Sequence, residues 1–145
     1  KIQKIINGLT DNTQPLWGKM TAQQMLEHLE ETLLYSMGKP EVQTCYTPEE
    51  QLEKFQDSLY TFRKMPKDYP APFLPEDGSL PALKYKNLDA SKTAFMTAVQ
   101  EFLVYYREHP QAEHLHFVFG KLNKEMMELF QRKHFTHHFE QFNLI

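Results

Sequence analysis

The chain has 145 residues, with 16 Lys and Arg against 19 Asp and Glu, so its formal charge of −3 gives no bulk attraction to nucleic acid or anionic lipid. That length suits one domain, 1–145, and without a run of 18 apolar residues the sequence predicts neither a membrane span nor a membrane partner. Only eight residues are Val or Ile, against eleven Phe and seven Met, which argues against a large sheet and favours a helical fold.

The N-terminal part of the chain predicts a short helix and then a long one. In residues 1–9, isoleucine and leucine recur at helical spacing, which indicates a short amphipathic N-terminal helix. Thr21 and Gln24 have the spacing of a capping box, so a long helix is expected to begin there and to end at Gly38 and Pro40. Its predicted buried stripe consists of Met25, Leu26, Leu29, Leu33 and Met37.

A second helix start follows at residues 47–50. Thr47 is expected to cap this helix, with Pro48 at the first helical position and two glutamates at the positive end of the helix dipole. The helix is expected to end before Pro66. Its predicted apolar stripe consists of Leu52, Phe55, Leu59 and Phe62.

Residues 66–88 predict a long Pro-rich loop, because five prolines and a glycine disfavour both helix and strand. Its apolar side chains indicate that it packs on the domain, where it would form one wall or lid of a pocket. These side chains are Tyr69, Phe73, Leu74 and Leu80.

The C-terminal part predicts two further helices joined by a loop. The first begins near Asp89 and stops before Pro110, and Asn123 caps the second, which runs to about Phe142. Four main helices with no strand between them predict an all-α fold, an up-down four-helix bundle with a short N-terminal helix.

Seven histidines are more than a chain of this size needs. His134 and His138 lie four residues apart on the apolar stripe of the last helix, beside Met127, Phe130 and Gln141. Buried imidazoles cost free energy unless their nitrogens find partners, and one divalent metal would satisfy both. Alone, a His-x-x-x-His pair is a weak signal, because most such pairs lie on the surface or bond carbonyls.

His28 strengthens the metal interpretation. It lies on the shoulder of the apolar stripe of the first long helix, where a lone histidine is more often a satisfied core residue than a ligand. If this helix packs against the last one, however, three imidazoles converge on one point. Three protein ligands leave one coordination position open, as in catalytic rather than structural zinc sites.

Three segments resemble the DinB-like (YfiT-like) superfamily. Residues 17–29 resemble its first bundle helix, which carries the first metal histidine, and residues 133–142 resemble its last-helix signature of His, His-His and Gln. Residues 116–122 are similar to the His-Pro-x-Phe-Gly-x-Leu sequence of one branch, a domain of unknown function, with Phe117 in place of the usual proline.

This resemblance implies an up-down four-helix bundle with a divalent metal, zinc or nickel, on His28, His134 and His138. Relatives include thiol transferases that use bacillithiol or mycothiol, and a thiol-dependent isomerase, in which the metal lowers the pKa of a bound thiol or water. The implied function is therefore metal-dependent transfer or hydrolysis on a small electrophilic substrate, with a low-molecular-weight thiol as partner.

Three further residues are candidates for supporting roles around the ligands. His137 lies at the flank of the stripe and is expected to support a ligand or the structure. His116 precedes the last helix, either near the mouth of the bundle or, more in keeping with a loop, in a local hydrogen bond. Gln141 is expected either to orient a ligand or to bond the backbone.

A non-catalytic module that binds a metal or a small ligand is the alternative. Glu27, Glu30 and Glu31 are close to His28 in sequence but are expected to face solvent, so no general acid or base is identified. Cys45 is the only cysteine and has no basic neighbour to activate it; with no leader sequence, it suggests a cytoplasmic protein. Exposed aromatic residues on a bundle would allow a homodimer.

Overall fold

A computed structural model describes residues 1–67, 75 and 77–145. These residues are mostly helical, as the composition predicts, and none of their helices is both long and apolar enough to cross a bilayer. In chain order, the elements of the described part are α1 (Ile2–Ile6), α2 (Ala22–Tyr35), α3 (Glu49–Ser58), α4 (Leu88–Glu108), β1 (His114–His116), β2 (Gly120–Leu122) and α5 (Lys124–Gln141).

Helix α2 is the centre of the packing, since it contacts both α4 and α5. Its predicted start is confirmed: Thr21 Oγ1 accepts from the Gln24 amide at 3.2 Å, and Gln24 Oε1 accepts from the Thr21 amide at 2.9 Å. The predicted apolar stripe is buried, with Met25, Leu26 and Leu29 fully inaccessible to solvent. The backbone of α2 is therefore fixed where it carries the candidate ligand.

Helix α3 differs from the prediction at both ends. Thr47 does not cap it, because its hydroxyl donates instead to the Val118 carbonyl at 2.5 Å. The helix ends at Ser58 rather than before Pro66, and the Thr61 hydroxyl donates to the freed Ser58 carbonyl at 2.8 Å. Phe62 lies beyond this end and is exposed, so its assignment to the core is wrong.

Side chains of α3 pack against the segment that precedes α5. The Phe55 ring lies 6.3 Å from the Phe119 ring, and Gln56 Nε2 donates to the Phe119 carbonyl at 2.8 Å.

The four predicted main helices are present as α2 to α5. Their arrangement as an up-down bundle stays a prediction.

The segment between α4 and α5 contains a β-hairpin, so the prediction that no strand interrupts the helices is wrong there. β1 pairs antiparallel with β2, and His116 lies opposite Gly120. The His116 Nδ1 atom accepts from the amides of Val118 and Phe119 at 3.0 and 3.2 Å. Gly120 closes the turn with φ of +73°, a conformation that glycine adopts without strain.

The described part of the Pro-rich segment is joined to α2 by hydrogen bonds. Glu27 Oε2 accepts from the Lys84 amide at 2.7 Å, and the Tyr85 hydroxyl donates to Glu30 Oε1 at 2.5 Å. Glu30 is buried and Glu27 is partly buried, so the expectation that the glutamates face solvent is wrong for Glu30, whereas Glu31 is exposed as expected. No helix or strand lies between residues 77 and 87. The predicted packing of Tyr69, Phe73 and Leu74 lies outside the described residues.

Replacing Thr21 with alanine should destabilise the protein by about 1 kcal/mol, because the first turn of α2 loses its side-chain cap. Thr21→Ser keeps the hydroxyl and is the matched control. Chemical denaturation of both variants measures the effect, and equal stability of the alanine variant and the parent would contradict the capping role.

Candidate metal centre

Three histidines from two helices meet at one point. His28 comes from α2, and His134 and His138 come from successive turns of α5. His134 Nε2 lies 2.9 Å from His28 Nε2 and 3.1 Å from His138 Nε2. One ring nitrogen from each residue can be chosen so that all three lie within 4.8 Å of one another, close enough to share a metal ion.

The tautomer of His138 is fixed by Gln141. The Gln141 Nε2 atom donates to the Trp17 carbonyl at 2.9 Å, so its Oε1 atom is the one that faces His138 Nδ1 at 2.7 Å. An amide oxygen only accepts, so the neutral His138 ring must carry its proton on Nδ1. Its Nε2 atom therefore presents a lone pair to the cluster.

Thr32 faces the Nδ1 atom of His134, as Gln141 faces that of His138. Its hydroxyl donates to the Leu29 carbonyl at 3.0 Å, which turns an oxygen lone pair toward His134 Nδ1 at 3.4 Å. With the hydroxyl proton on the Leu29 carbonyl, Thr32 accepts from His134 Nδ1, and His134 then offers Nε2 as a lone pair, like His138. Two lone pairs 3.1 Å apart repel each other, and a shared cation removes that repulsion.

Burial keeps these imidazoles neutral. Desolvation, with repulsion from neighbouring histidines, lowers the pKa of His28 to about 4 and that of His138 to about 3. The same causes lower the pKa of His134 well below its ordinary value. Neutral imidazole is the form that binds metals, and three such ligands suit zinc, nickel or copper better than magnesium or calcium.

A cavity of about 540 Å³ opens in front of the cluster, and the three histidines form part of its lining. This volume is in the range of small-molecule sites. Pro66, Lys67 and Leu80 of the Pro-rich segment also line it, in keeping with the predicted wall. Its apolar walls include Phe55, Leu59, Met65, Phe117, Phe119 and Phe130.

His116 and His137 line the same cavity. The His116 Nδ1 atom is used in the hairpin turn, as the loop interpretation predicts, and its ring lies 4.3 Å from that of Phe130. Phe130 in turn stacks on His134 at 5.2 Å, so the Phe130 ring links His116 to the cluster. His137 hydrogen-bonds the Met65 backbone and packs edge-on against Trp17 at 5.6 Å.

Sequence reasoning missed a second buried histidine and its polar partners. His114 is buried, with Nδ1 at 3.0 Å from Glu41 Oε1 and Nε2 at 2.6 Å from the Tyr105 hydroxyl. These contacts join β1 to α4 and to the segment after α2. Only recognition of the strand, which turns His114 inward, could have indicated it.

The orienting role of Thr32 was also missed. It lies four residues after His28 on the same side of α2, and that spacing is the signal that could have found it. Gln131 fixes the same turn, since its Nε2 atom donates to the Thr32 carbonyl at 3.1 Å and to Ser36 Oγ at 2.8 Å.

Comparisons of the chain with protein-family models, with curated proteins and with solved structures gave no match in any of the three. The resemblance to the DinB-like superfamily therefore stays a prediction. What the site can do follows from its own geometry: three buried, neutral imidazoles whose ring nitrogens meet at one point, at the wall of an apolar cavity.

Replacing Gln141 with alanine should weaken metal binding roughly 10- to 100-fold, because His138 loses the acceptor that fixes its tautomer. Ser91→Ala is the control, since Ser91 is also buried and hydrogen-bonded but lies on α4 and bonds neither a histidine of the cluster nor a residue that orients one. Competition with a chromophoric chelator measures both affinities, and an equal loss in the two variants would contradict a specific role for Gln141.

The stability of the metal-free protein should fall as the pH drops from 7 to 5. In the unfolded chain histidines protonate near pH 6.5, whereas folding lowers the pKa of His28 to about 4 and those of His116 and His138 to about 3. Protons therefore bind the unfolded state preferentially in this range, and stability is lost by at least about 2 kcal/mol. Urea denaturation at several pH values measures this slope, and a flat profile would contradict it.

Proposed function

We propose that the protein is a metal-dependent enzyme of the DinB-like type, in which His28, His134 and His138 hold a divalent metal, zinc or nickel. A thiol or water is activated there for transfer to, or hydrolysis of, a small electrophilic substrate, with a low-molecular-weight thiol as the partner. The up-down four-helix bundle is part of the same proposal. The observation that carries it is the convergence of three imidazole nitrogens beside a cavity of small-molecule size.

The donor set fits such a metal. When bound, a divalent metal on three imidazoles lowers the pKa of a thiol or water beside it and stabilises the resulting anion. The chain itself holds the rings in place: Gln141 and Thr32 bond the outer nitrogens of the two α5 histidines, and Phe130 stacks on His134. The apolar walls keep bulk water away and so strengthen electrostatic interactions in the cavity.

A non-catalytic binding module is the second candidate. Among the described residues that line the cavity, none is Asp or Glu. A carboxylate is a common general acid or base in metal-dependent hydrolysis, and its absence from this part of the lining favours binding without turnover. The two candidates share the metal, so activity distinguishes them.

Purified protein should bind about one divalent metal per chain, and His134→Ala should abolish this binding, because His134 is the central member of the cluster. His109→Ala, which changes an exposed histidine at the end of α4, should leave it intact. Metal analysis after dialysis, and thermal denaturation with and without added zinc or nickel, make the measurement. Metal binding that survives His134→Ala would overturn the proposed site.

Turnover is then tested with the metal-loaded protein, a small thiol and an electrophilic acceptor. The enzyme proposal predicts product formation that depends on the metal and disappears in His134→Ala but persists in His109→Ala. A metal-dependent rise in the melting temperature with no turnover across a panel of thiols and acceptors would favour the binding module.

A further inference from the structure

The charge around the cavity differs sharply from the charge of the chain. The whole sequence is acidic, with a formal charge of −3. Among the described residues that line the cavity, however, six are Lys or Arg and none is Asp or Glu. These six cations are Lys19, Lys54, Arg63, Lys64, Lys67 and Lys133.

The cations lie at the solvent side of the cavity. Five of them are exposed and Lys133 is partly exposed, whereas the aromatic walls and the histidine cluster are more deeply buried. They come from three parts of the chain: the segment before α2, α3 with the residues that follow it, and α5. A cationic rim around an apolar interior attracts anions and concentrates them at the entrance.

Two contacts keep part of this rim in a defined position. The Lys133 ammonium group donates to the carbonyls of Thr61 and Arg63 at 2.6 and 2.7 Å, which ties α5 to the segment that carries Arg63. Lys67 lies over the Trp17 ring, 4.5 Å from its centroid. Lys64 forms an ion pair with Glu140 at 2.8 Å, so its charge is partly neutralised. The contact of the Lys133 ammonium group with the Arg63 carbonyl therefore brings these two cationic residues together at one place on the rim.

We propose that the cavity takes a small organic anion with an apolar body, whose carboxylate or phosphate group is held at the rim by Arg63 and Lys133. The apolar body lies along the aromatic wall of Phe55 and Phe119, and its inner end approaches the histidine cluster. As a statement about the substrate, this inference rests on the proposed function. As a statement about binding, it rests only on the cavity and its charges.

Calorimetry with octanoate, octyl phosphate and 1-octanol tests the proposal on the metal-loaded and the metal-free protein, with all three probes below the concentration at which they aggregate. At least one of the two anions is expected to bind at least tenfold more tightly than octanol, with an affinity that falls as salt is added. The comparison of octanoate with octyl phosphate shows which anionic group the rim prefers. Equal affinity for octanol and both anions would overturn the proposal.

The double variant Arg63→Gln/Lys133→Gln should lose at least tenfold in affinity for the preferred anion and keep its affinity for octanol. Arg107→Gln, which removes a cation on α4 outside the cavity lining, is the control and should change neither. Octanol binding also shows that the double variant is folded. Should the double variant be impaired in folding, Arg63→Gln alone is expected to lose at least threefold.

The metal-free protein separates this proposal from the proposed function. Anion binding that persists without metal supports the rim, even if no metal-dependent turnover is ever found. Anion binding that requires the metal and is unchanged in the rim variants would overturn the proposal, because the anion is then a metal ligand.

Discussion

The meeting of three buried imidazoles, with two of the rings oriented from their Nδ1 side, is the constraint on which the site depends. Gln141 and Thr32 each bond the Nδ1 side of a histidine on α5, so both rings must turn their Nε2 lone pairs inward. Neither bond is strong alone, since the Thr32 contact is 3.4 Å long. Together they disfavour a hydrogen bond between the two α5 rings in which one Nε2 atom donates to the other. The facing nitrogens of the three rings lie close enough to be shared by one cation.

The packing of the helices makes that arrangement possible. His134 and His138 lie on the buried stripe of α5, and α2 brings His28 to the same place because α2 is fixed by its apolar contacts with α4. A surface cluster of histidines would be solvated and free to rotate. Here the rings are held by Phe130 on one side and by the core on the other, so little reorganisation is needed when a ligand binds.

Periodicity and capping chemistry predict the helices well but not every helix end. The start of α2 follows from Thr21 and Gln24, because both halves of the capping box are local. The same logic fails at Thr47, whose hydroxyl finds a carbonyl 71 residues away in the hairpin turn. The hairpin itself could not be predicted from its short strands, since it depends on an imidazole that accepts from two amides. Local signals are reliable until a distant partner competes for the same atom.

Prediction of the site is limited in the same way, by contacts between residues that are distant along the chain. The spacing of His134 and His138 places them on one face, and the packing of α2 on α5 adds His28, so the candidate ligands could be chosen from the sequence. The cationic rim could not be predicted from the sequence. Its residues, such as Lys19, Arg63 and Lys133, are far apart along the chain, and the fold brings them to one cavity. The environment of Glu30 could not be predicted either. Its position on α2 suggests a solvated side chain, but Glu30 accepts a hydrogen bond from Tyr85.

The charges of the cluster and the rim favour the same kind of ligand. Neutral imidazoles leave the double positive charge of a divalent metal unreduced, whereas carboxylate ligands would cancel part of it. The described lining supplies no acid to compensate, and the rim adds further cations. An anionic occupant would interact favourably with this charge, whereas a neutral occupant would not. An anionic nucleophile at the cluster and an anionic group at the rim would each neutralise charge at one end of the cavity. The walls between these ends are apolar, so they favour a ligand with an apolar body.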